Sequence, residues 1–563
     1  MTWLSHHRVR VLLALATCSI FSITAEVNAE VTAKVNNAAS SGLSDSTNHL
    51  HENTDIGKTI ADAVKAIASP YSQLAVAIWD PNHQRSIFEL NTQKLMQPAS
   101  VMKLFTAVTA LAELGNDYHY QSQIYARGTI INKVLKGDVW IRLSGDPTLT
   151  SEQLSAMVAE LKQIGIQQIQ GQVYLLTIPN EQVRAPGWVW DDLGICYAAP
   201  VSRLILDKNC VLAKLAPAQN TQKGKTVINM APSSAIHVTN QARFIPLTAD
   251  KHTRDLCQLS LARFDNNQYQ LNGCYPSNGA IKLAIAVNQT EPYMLARLEA
   301  IFNQHAITLD NNISLHSETP ALIALLTDRA MPNIIKEQKQ LSDESGHHIN
   351  SDDIRLIASH NSEPLSVMLD TMLKDSNNLI ADSLFKAIGK FYYQSTTTTY
   401  KEDFISAAKA QLTRLTEMGI KLDTANVVDG SGLSRYNAIS AEQLMTLMKL
   451  IYTDKRFSSL DAALPEAGVS GTLTYKRGFQ RLLRAKVKAK TGTMLGVSNL
   501  AGRLQTSKGD LLFVILENGI SPHQQAESRT GSEILTAIMA IYEAEAEADN
   551  EANTNGIKPI SNK

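Results

Sequence analysis

The stretch Pro98-Ala99-Ser100-Val101-Met102-Lys103, with the apolar run Leu104 to Leu111 behind it, constrains this chain most. The run predicts a helix that begins close to Ser100 and carries Lys103 three residues on. Positions i and i+3 share a helix face, so the Lys103 ammonium can lie over the Ser100 hydroxyl. A serine hydroxyl becomes a nucleophile only when a base takes its proton. A lysine whose pKa is lowered by burial and by other cations can be that base. Free N–H groups and partial positive charge at the helix start suit an oxyanion beside Ser100. The same residues also read as an N-cap serine followed by a solvated lysine, so the rest of the chain has to decide.

With 52 Lys+Arg against 53 Asp+Glu the net charge is −1, which removes nucleic acid and an acidic membrane surface as partners. At 563 residues the chain has room for about two to four domains. His6, His7, Arg8 and Arg10 precede the apolar run Val11 to Ile23, and Val27-Asn28-Ala29 offers a small-residue cleavage site. The pattern predicts a cleaved signal peptide over 1–29, hence a periplasmic protein with no stable transmembrane anchor. Leu15-Ala16-Thr17-Cys18 matches a lipoprotein box loosely and keeps lipidation of Cys18 as an alternative. Residues 30–54 are polar and read as a mobile leader.

Removing the signal leaves Cys196, Cys210, Cys257 and Cys274, an even count that predicts two disulfides in an exported chain. Three connectivities are open, and short loop closure favours Cys196–Cys210 with Cys257–Cys274. No C-x-x-C is present, and His347-His348 sits in a polar loop, so no metal and no cofactor are expected.

Ser72 to Asp80 and Ser86 to Asn91 read as antiparallel strands across Pro81-Asn82, leading into the Ser100 helix. Thr150 with Gln153 forms a capping box for a helix reaching Ile164. Helical periodicity returns at Pro364 to Leu373, pauses at Asp375-Ser376-Asn377-Asn378, and resumes to Ile388. Arg484 to Lys490, Val497 to Leu504 and Leu511 to Glu517 read as strands, and a helix covers Ser532 to Tyr542. The expected domains are 55–117 with 330–545, an insert at 118–329 holding a disulfide-stapled β-rich part near 190–290, and a disordered tail at 546–563.

Two further motifs follow Ser100-x-x-Lys103 in order: Ser376-x-Asn378 and Lys490-Thr491-Gly492. Taken singly, the first is a turn between helices and the second an edge strand guarded by lysine. Together they form the set by which active-site-serine penicillin-recognising enzymes are known. In that chemistry Ser100 forms the acyl-enzyme, Lys103 accepts its proton, and Ser376 relays a proton toward the leaving amine. Asn378 can hold both Lys103 and a substrate amide, and Lys490 adds a positive charge that helps keep Lys103 neutral. Thr491 can bind a terminal carboxylate, and Gly492 lets an extended substrate pair with the strand edge. The N–H groups of Ser100 and Thr493 are the expected oxyanion hole.

Ser376 stands 276 positions after Ser100, leaving room for inserted domains. With Leu135-Lys136-Gly137-Asp138, Gly145-Asp146-Pro147-Thr148-Leu149, Ala185 to Asp192 and Asp429-Gly430-Ser431-Gly432-Leu433-Ser434-Arg435, this resembles the low-molecular-mass class C penicillin-binding proteins. These are the S13 peptidases, D-alanyl-D-alanine carboxypeptidases/endopeptidases of the penicillin-binding protein 4 type. The resemblance implies an α/β (α+β) fold: a transpeptidase/β-lactamase-like antiparallel sheet flanked by helices, with inserted α/β and β-rich domains. It implies peptidoglycan muropeptides as substrate and β-lactams as inhibitors, and it leaves a homodimer open. It also implies that Asp192, with Tyr197 beside it, meets a diaminopimelate amino group, and that Arg435 faces a substrate carboxylate. Leu495 stands where close relatives can carry a polar residue. A β-lactamase or esterase on this fold is the alternative, disfavoured because no E-x-x-x-N lies between Asn378 and Lys490. A non-catalytic peptidoglycan-binding module would have no need of Ser100 or Lys103.

Overall fold

The computed structural model describes residues 55–218, 224–231, 235–277, 279–328, 354–396, 403–521, 525 and 528–555. The expected signal peptide and leader, Cys18 and His347-His348 lie outside them. The described residues divide into two compact units: those up to 114, from 366 to 396 and from 405 onward form one, and those between 115 and 365, with 403–404, the other.

In the first unit, strands from opposite ends of the chain meet in one sheet. Its elements are α1 (Asp55–Ile67), β1 (Gln73–Asp80), β2 (Arg85–Leu90), α2 (Met102–Leu114), α3 (Leu365–Lys374), α4 (Asn378–Thr396), α5 (Phe404–Glu417), α6 (Ala441–Thr453), β3 (Val487–Met494), β4 (Val497–Thr506), β5 (Gly509–Asn518) and α7 (Thr530–Asn555). The strand order is β3-β4-β5-β1-β2, and every pair is antiparallel. One face buries Val487, Ala489, Phe513 and Ile515 against Ile60 and Val64 of α1 and Leu535 and Ile538 of α7. Each of the valine, leucine, isoleucine and phenylalanine side chains contributes about 1.5–3 kcal/mol by leaving water.

The other face is covered by α6, and the short turn Ala99–Val101 packs on β3 and β4. Helix α2 is buried from Met102 to Leu111. A helix apolar on all sides belongs in a core, and here it packs against α4. Residues 465–467 pair with the start of β3 through Ala467 N–Val487 O and Ala489 N–Pro465 O bonds of 2.9 Å each. Beyond them, from Lys490 to Thr493, β3 is paired on one side only among the described residues.

The second unit is assembled from neighbours. Strands 121–131 and 134–142 form a hairpin whose Asn132-Lys133 turn has φ of 50° and 67°, the twist a tight hairpin needs. The helix Ser151–Gln163 starts at Thr150 with both capping-box bonds made, Gln153 N to Thr150 Oγ1 at 3.2 Å and Thr150 N to Gln153 Oε1 at 2.8 Å. Further on, strand 210–217 lies between 226–230 and 281–286, and strand 268–276 pairs with 259–263. The disulfides are Cys196–Cys210 and Cys257–Cys274, the two short-loop pairs.

Two boundaries differ from the sequence expectation. Strand Ile354–Asn361 pairs with 121–131, so the second unit reaches Leu365 instead of ending at 329. Seven register partners outweigh the sequence proximity of this strand to α3. The tail expected to be disordered from 546 continues α7 as far as Asn555, because the Glu- and Ala-rich run from Glu543 is a strong helix former. Residues 556–563 lie outside the described residues.

Candidate active site

Ser100 stands at the middle of the Ala99–Val101 turn, and Lys103 lies on the first turn of α2. The residue before the serine, Ala99, has φ of +47°, a left-handed conformation that costs a non-glycine residue about 1–2 kcal/mol. Packing from both sides holds it. A Cβ on Gly432, itself at φ +78°, would lie 1.8 Å from the Ala99 carbonyl oxygen, and one on Gly492 would lie 2.6 Å from that of Pro98. Asn499 on β4 donates to the Gln97 and Pro98 carbonyls, 2.8 Å each, and ties the stretch to the sheet.

The Lys103 ammonium is fully buried and makes three bonds: 3.0 Å to Ser100 Oγ, 2.7 Å to Asn378 Oδ1 and 2.7 Å to the Ser431 carbonyl. Every acceptor is neutral. Burial lowers its pKa to about 8, while the carboxylates of Asp382 and Asp429 pull in the opposite direction. Lys490, also fully buried, donates to Ser376 Oγ at 2.9 Å and to the Thr491 carbonyl at 3.0 Å. Burial first, and then the ammonium of Lys103, hold it well below the ordinary lysine value. Burial is the largest cause for both lysines, and the repulsion between the two neighbouring ammonium groups is mutual.

The three motifs therefore converge within one unit. Ser376 and Asn378 sit where α3 gives way to α4, and Ser376 is left-handed at φ +56°. Thr491 shares a 2.8 Å hydroxyl contact with Thr472, and Thr493 is exposed at the open edge of β3. Arg435 donates from Nη1 to the Leu495 carbonyl at 2.8 Å, supporting the turn after β3. Asp192 and Tyr197 belong to the second unit, where the tyrosine hydroxyl donates to the aspartate carboxylate.

Sequence reasoning missed the layer beneath. Asp382, one turn along α4 from Asn378, is fully buried and accepts from Gly430 N at 2.8 Å and Ser431 N at 2.9 Å. Burial and the nearby Asp429 hold its carboxyl well above the usual range. Asp429 Oδ1 accepts from Gly432 N at 2.8 Å and Asn437 Nδ2 at 2.7 Å, and its Oδ2 from Ser434 N at 2.6 Å. The i, i+4 spacing of Asn378 and Asp382 was the available signal. No cluster of three or more metal-ligating side chains occurs among the described residues, and no described helix is long and apolar enough to cross a membrane.

Known proteins resemble this chain along most of its length. D-alanyl-D-alanine carboxypeptidase DacB of Haemophilus influenzae is 31% identical over 445 residues, 78% of this chain and 84% of that protein. The D-alanyl-D-alanine carboxypeptidase of an Actinomadura species is 28% identical over 462 residues, 79% of this chain and 78% of its own. The crystal structure of penicillin binding protein 4 from H. influenzae superposes with a TM-score of 0.71 at 29% identity, covering 86% of this chain and 98% of that one. The same protein, complexed with a β-lactam, gives a TM-score of 0.67. The D-Ala-D-Ala carboxypeptidase 3 (S13) family matches residues 57–348 and 344–540, and the chain belongs to that family of peptidases.

Proposed function

We propose that this protein is a serine DD-peptidase of peptidoglycan, releasing terminal D-Ala and cleaving D-Ala–diaminopimelate cross-links through an acyl-enzyme on Ser100. The observation that carries this reading is the 3.0 Å contact between a buried Lys103, bonded only to neutral acceptors, and Ser100 Oγ. Lys103 takes the hydroxyl proton as Oγ bonds to the carbonyl carbon. The C–N bond then breaks, and the leaving amine takes a proton delivered through Ser376, which Lys490 orients. Water hydrolyses the ester and restores Ser100. Thr493 and Ser100 N–H groups hold the oxyanion, a pairing typically worth a hundredfold or more in rate per donor (about 3 kcal/mol). Lys490 and Thr491 receive the terminal carboxylate, and the open edge of β3 beside Gly492 pairs with the extended peptide.

Asp192, with Tyr197, recognises the diaminopimelate amino group, and Arg435 faces a substrate carboxylate. β-Lactams, whose carbonyl and carboxylate mimic that peptide end, acylate Ser100 and inhibit. Action on peptidoglycan requires export, which the amino-terminal signal-like stretch supplies.

The test is product analysis on purified cross-linked muropeptides with wild type and Ser100→Ala. Wild type should release both D-Ala and uncross-linked stems, and Ser100→Ala neither, with penicillin labelling lost. D-Ala release by Ser100→Ala would refute the mechanism. Asp192→Ala should weaken diaminopimelate substrates more than simple acylated dipeptides, and equal losses would remove its role.

A further inference from the structure

The Asp429-Gly430-Ser431-Gly432 turn presents the Ser431 carbonyl to the Lys103 ammonium. A lysine ammonium has three N–H bonds, and all three of Lys103 are used. Once neutral, the amine keeps two N–H bonds and gains a lone pair. That lone pair can face Ser100 Oγ only if the two hydrogens stay on the other acceptors, which are Asn378 Oδ1 and the Ser431 carbonyl. The second of these is a backbone oxygen, so its position depends on what fixes its peptide plane.

The Ser431 carbonyl and the Gly432 N–H belong to one trans peptide and point in opposite directions. The carbonyl accepts from Lys103 Nζ at 2.7 Å, and the N–H donates to Asp429 Oδ1 at 2.8 Å. The preceding peptide is held as well, its Ser431 N–H donating to Asp382 Oδ1 at 2.9 Å. Asn437 donates to Asp429 at 2.7 Å and receives Val428 N at 2.8 Å, so the carboxylate is itself pinned. All four side chains, Lys103, Asp382, Asp429 and Asn437, are fully buried. A carboxylate bonded to one end of a peptide group polarises it and strengthens the carbonyl at the other end as an acceptor.

We propose that Asp429 is a positioning residue for Lys103, acting through the Ser431–Gly432 peptide to aim the neutral amine at Ser100. The proposal rests on reading Lys103 as the base. No proton moves along the peptide; the carboxylate fixes and polarises it. The charged groups facing Lys103 are Asp382 from α4, Asp429 from this turn and Lys490 from β3, and the two carboxylates raise its pKa. Loss of Asp429 must therefore let Lys103 shed its proton at lower pH while aiming it worse.

The experiment measures acylation of the full mature chain by a labelled penicillin across pH. In Asp429→Asn the maximal acylation rate should fall about tenfold to a hundredfold, with the pre-covalent dissociation constant changed less than about threefold. The acid limb should move to lower pH. An unmoved limb, or a loss confined to the dissociation constant, overturns the proposal. A second measurement needs no change at Asp429: the Gly432 amide resonance should titrate with the acid limb in wild type and stop titrating in Lys103→Met, with the Ser434 amide moving less. A Gly432 amide that ignores pH in wild type also overturns it. Should Lys103→Met itself acylate at the wild-type rate, the reading of Lys103 as the base fails, a result distinct from either.

Discussion

Two buried clusters of charge, one in each unit, are built in opposite ways. In the second unit Arg142 and Arg203 both reach Glu318, at 3.2 and 3.3 Å, and all three are largely out of water. Both guanidinium groups there share one carboxylate, so the buried charges are paired. In the first unit Lys103 and Lys490 touch only hydroxyl, amide and carbonyl oxygens, and the carboxylates of Asp382 and Asp429 act on Lys103 without bonding to it. A buried cation with an ion-pair partner is a strut. One with neutral partners is free to become an amine, and that is what nucleophile activation needs.

The largest way to break this contrast is Lys103→Met, which should cut penicillin acylation about a thousandfold or more while the chain still folds. A small loss would make Lys103 another strut. In the second unit, Cys196→Ala with Cys210→Ala opens a loop with a sequence separation of 14. That should cost about 3 kcal/mol of unfolding free energy, read from denaturant titration, and leave acylation of a small penicillin within about twofold.

The third prediction concerns pH. With the Lys103 pKa at about 8, acylation should rise about fiftyfold from pH 6 to 8 and flatten above it. Between that value and the ordinary 10.5 the folded chain binds fewer protons at Lys103 than the unfolded one, so this group makes stability rise with pH across the same window. A pH-independent acylation rate would mean that Lys103 does not titrate there. The smallest effect is expected for Thr472→Val, which removes the 2.8 Å partner of the Thr491 hydroxyl. It should lower kcat/KM about fivefold for substrates with a free terminal carboxylate, and leave amidated ones unaffected.

Sequence patterns revealed those parts of the site that side chains carry at fixed helical or strand spacing. Ser100 and Lys103 share a helix face, and Lys490 and Gly492 alternate on a strand, so their periods were readable. The short-loop disulfides followed from closure entropy alone. The Ser431 carbonyl was invisible because a backbone acceptor has no letter of its own. Asp382 and Asp429 were hidden for a related reason: Asp382 acts through main-chain N–H groups 48 and 49 positions away and Asp429 within a turn, and such bonds leave no periodic trace. The late boundary at Leu365 escaped notice because strand 354–361 pairs with a partner more than 220 residues earlier.

The stretch ahead of Ser100 is gripped between Gly432 and Gly492, and neither position has room for a single methyl group. That inner wall therefore cannot be thickened at either glycine without displacing the backbone that carries the serine. Room for change lies at the rim, where Leu495 and Thr493 stand in solvent.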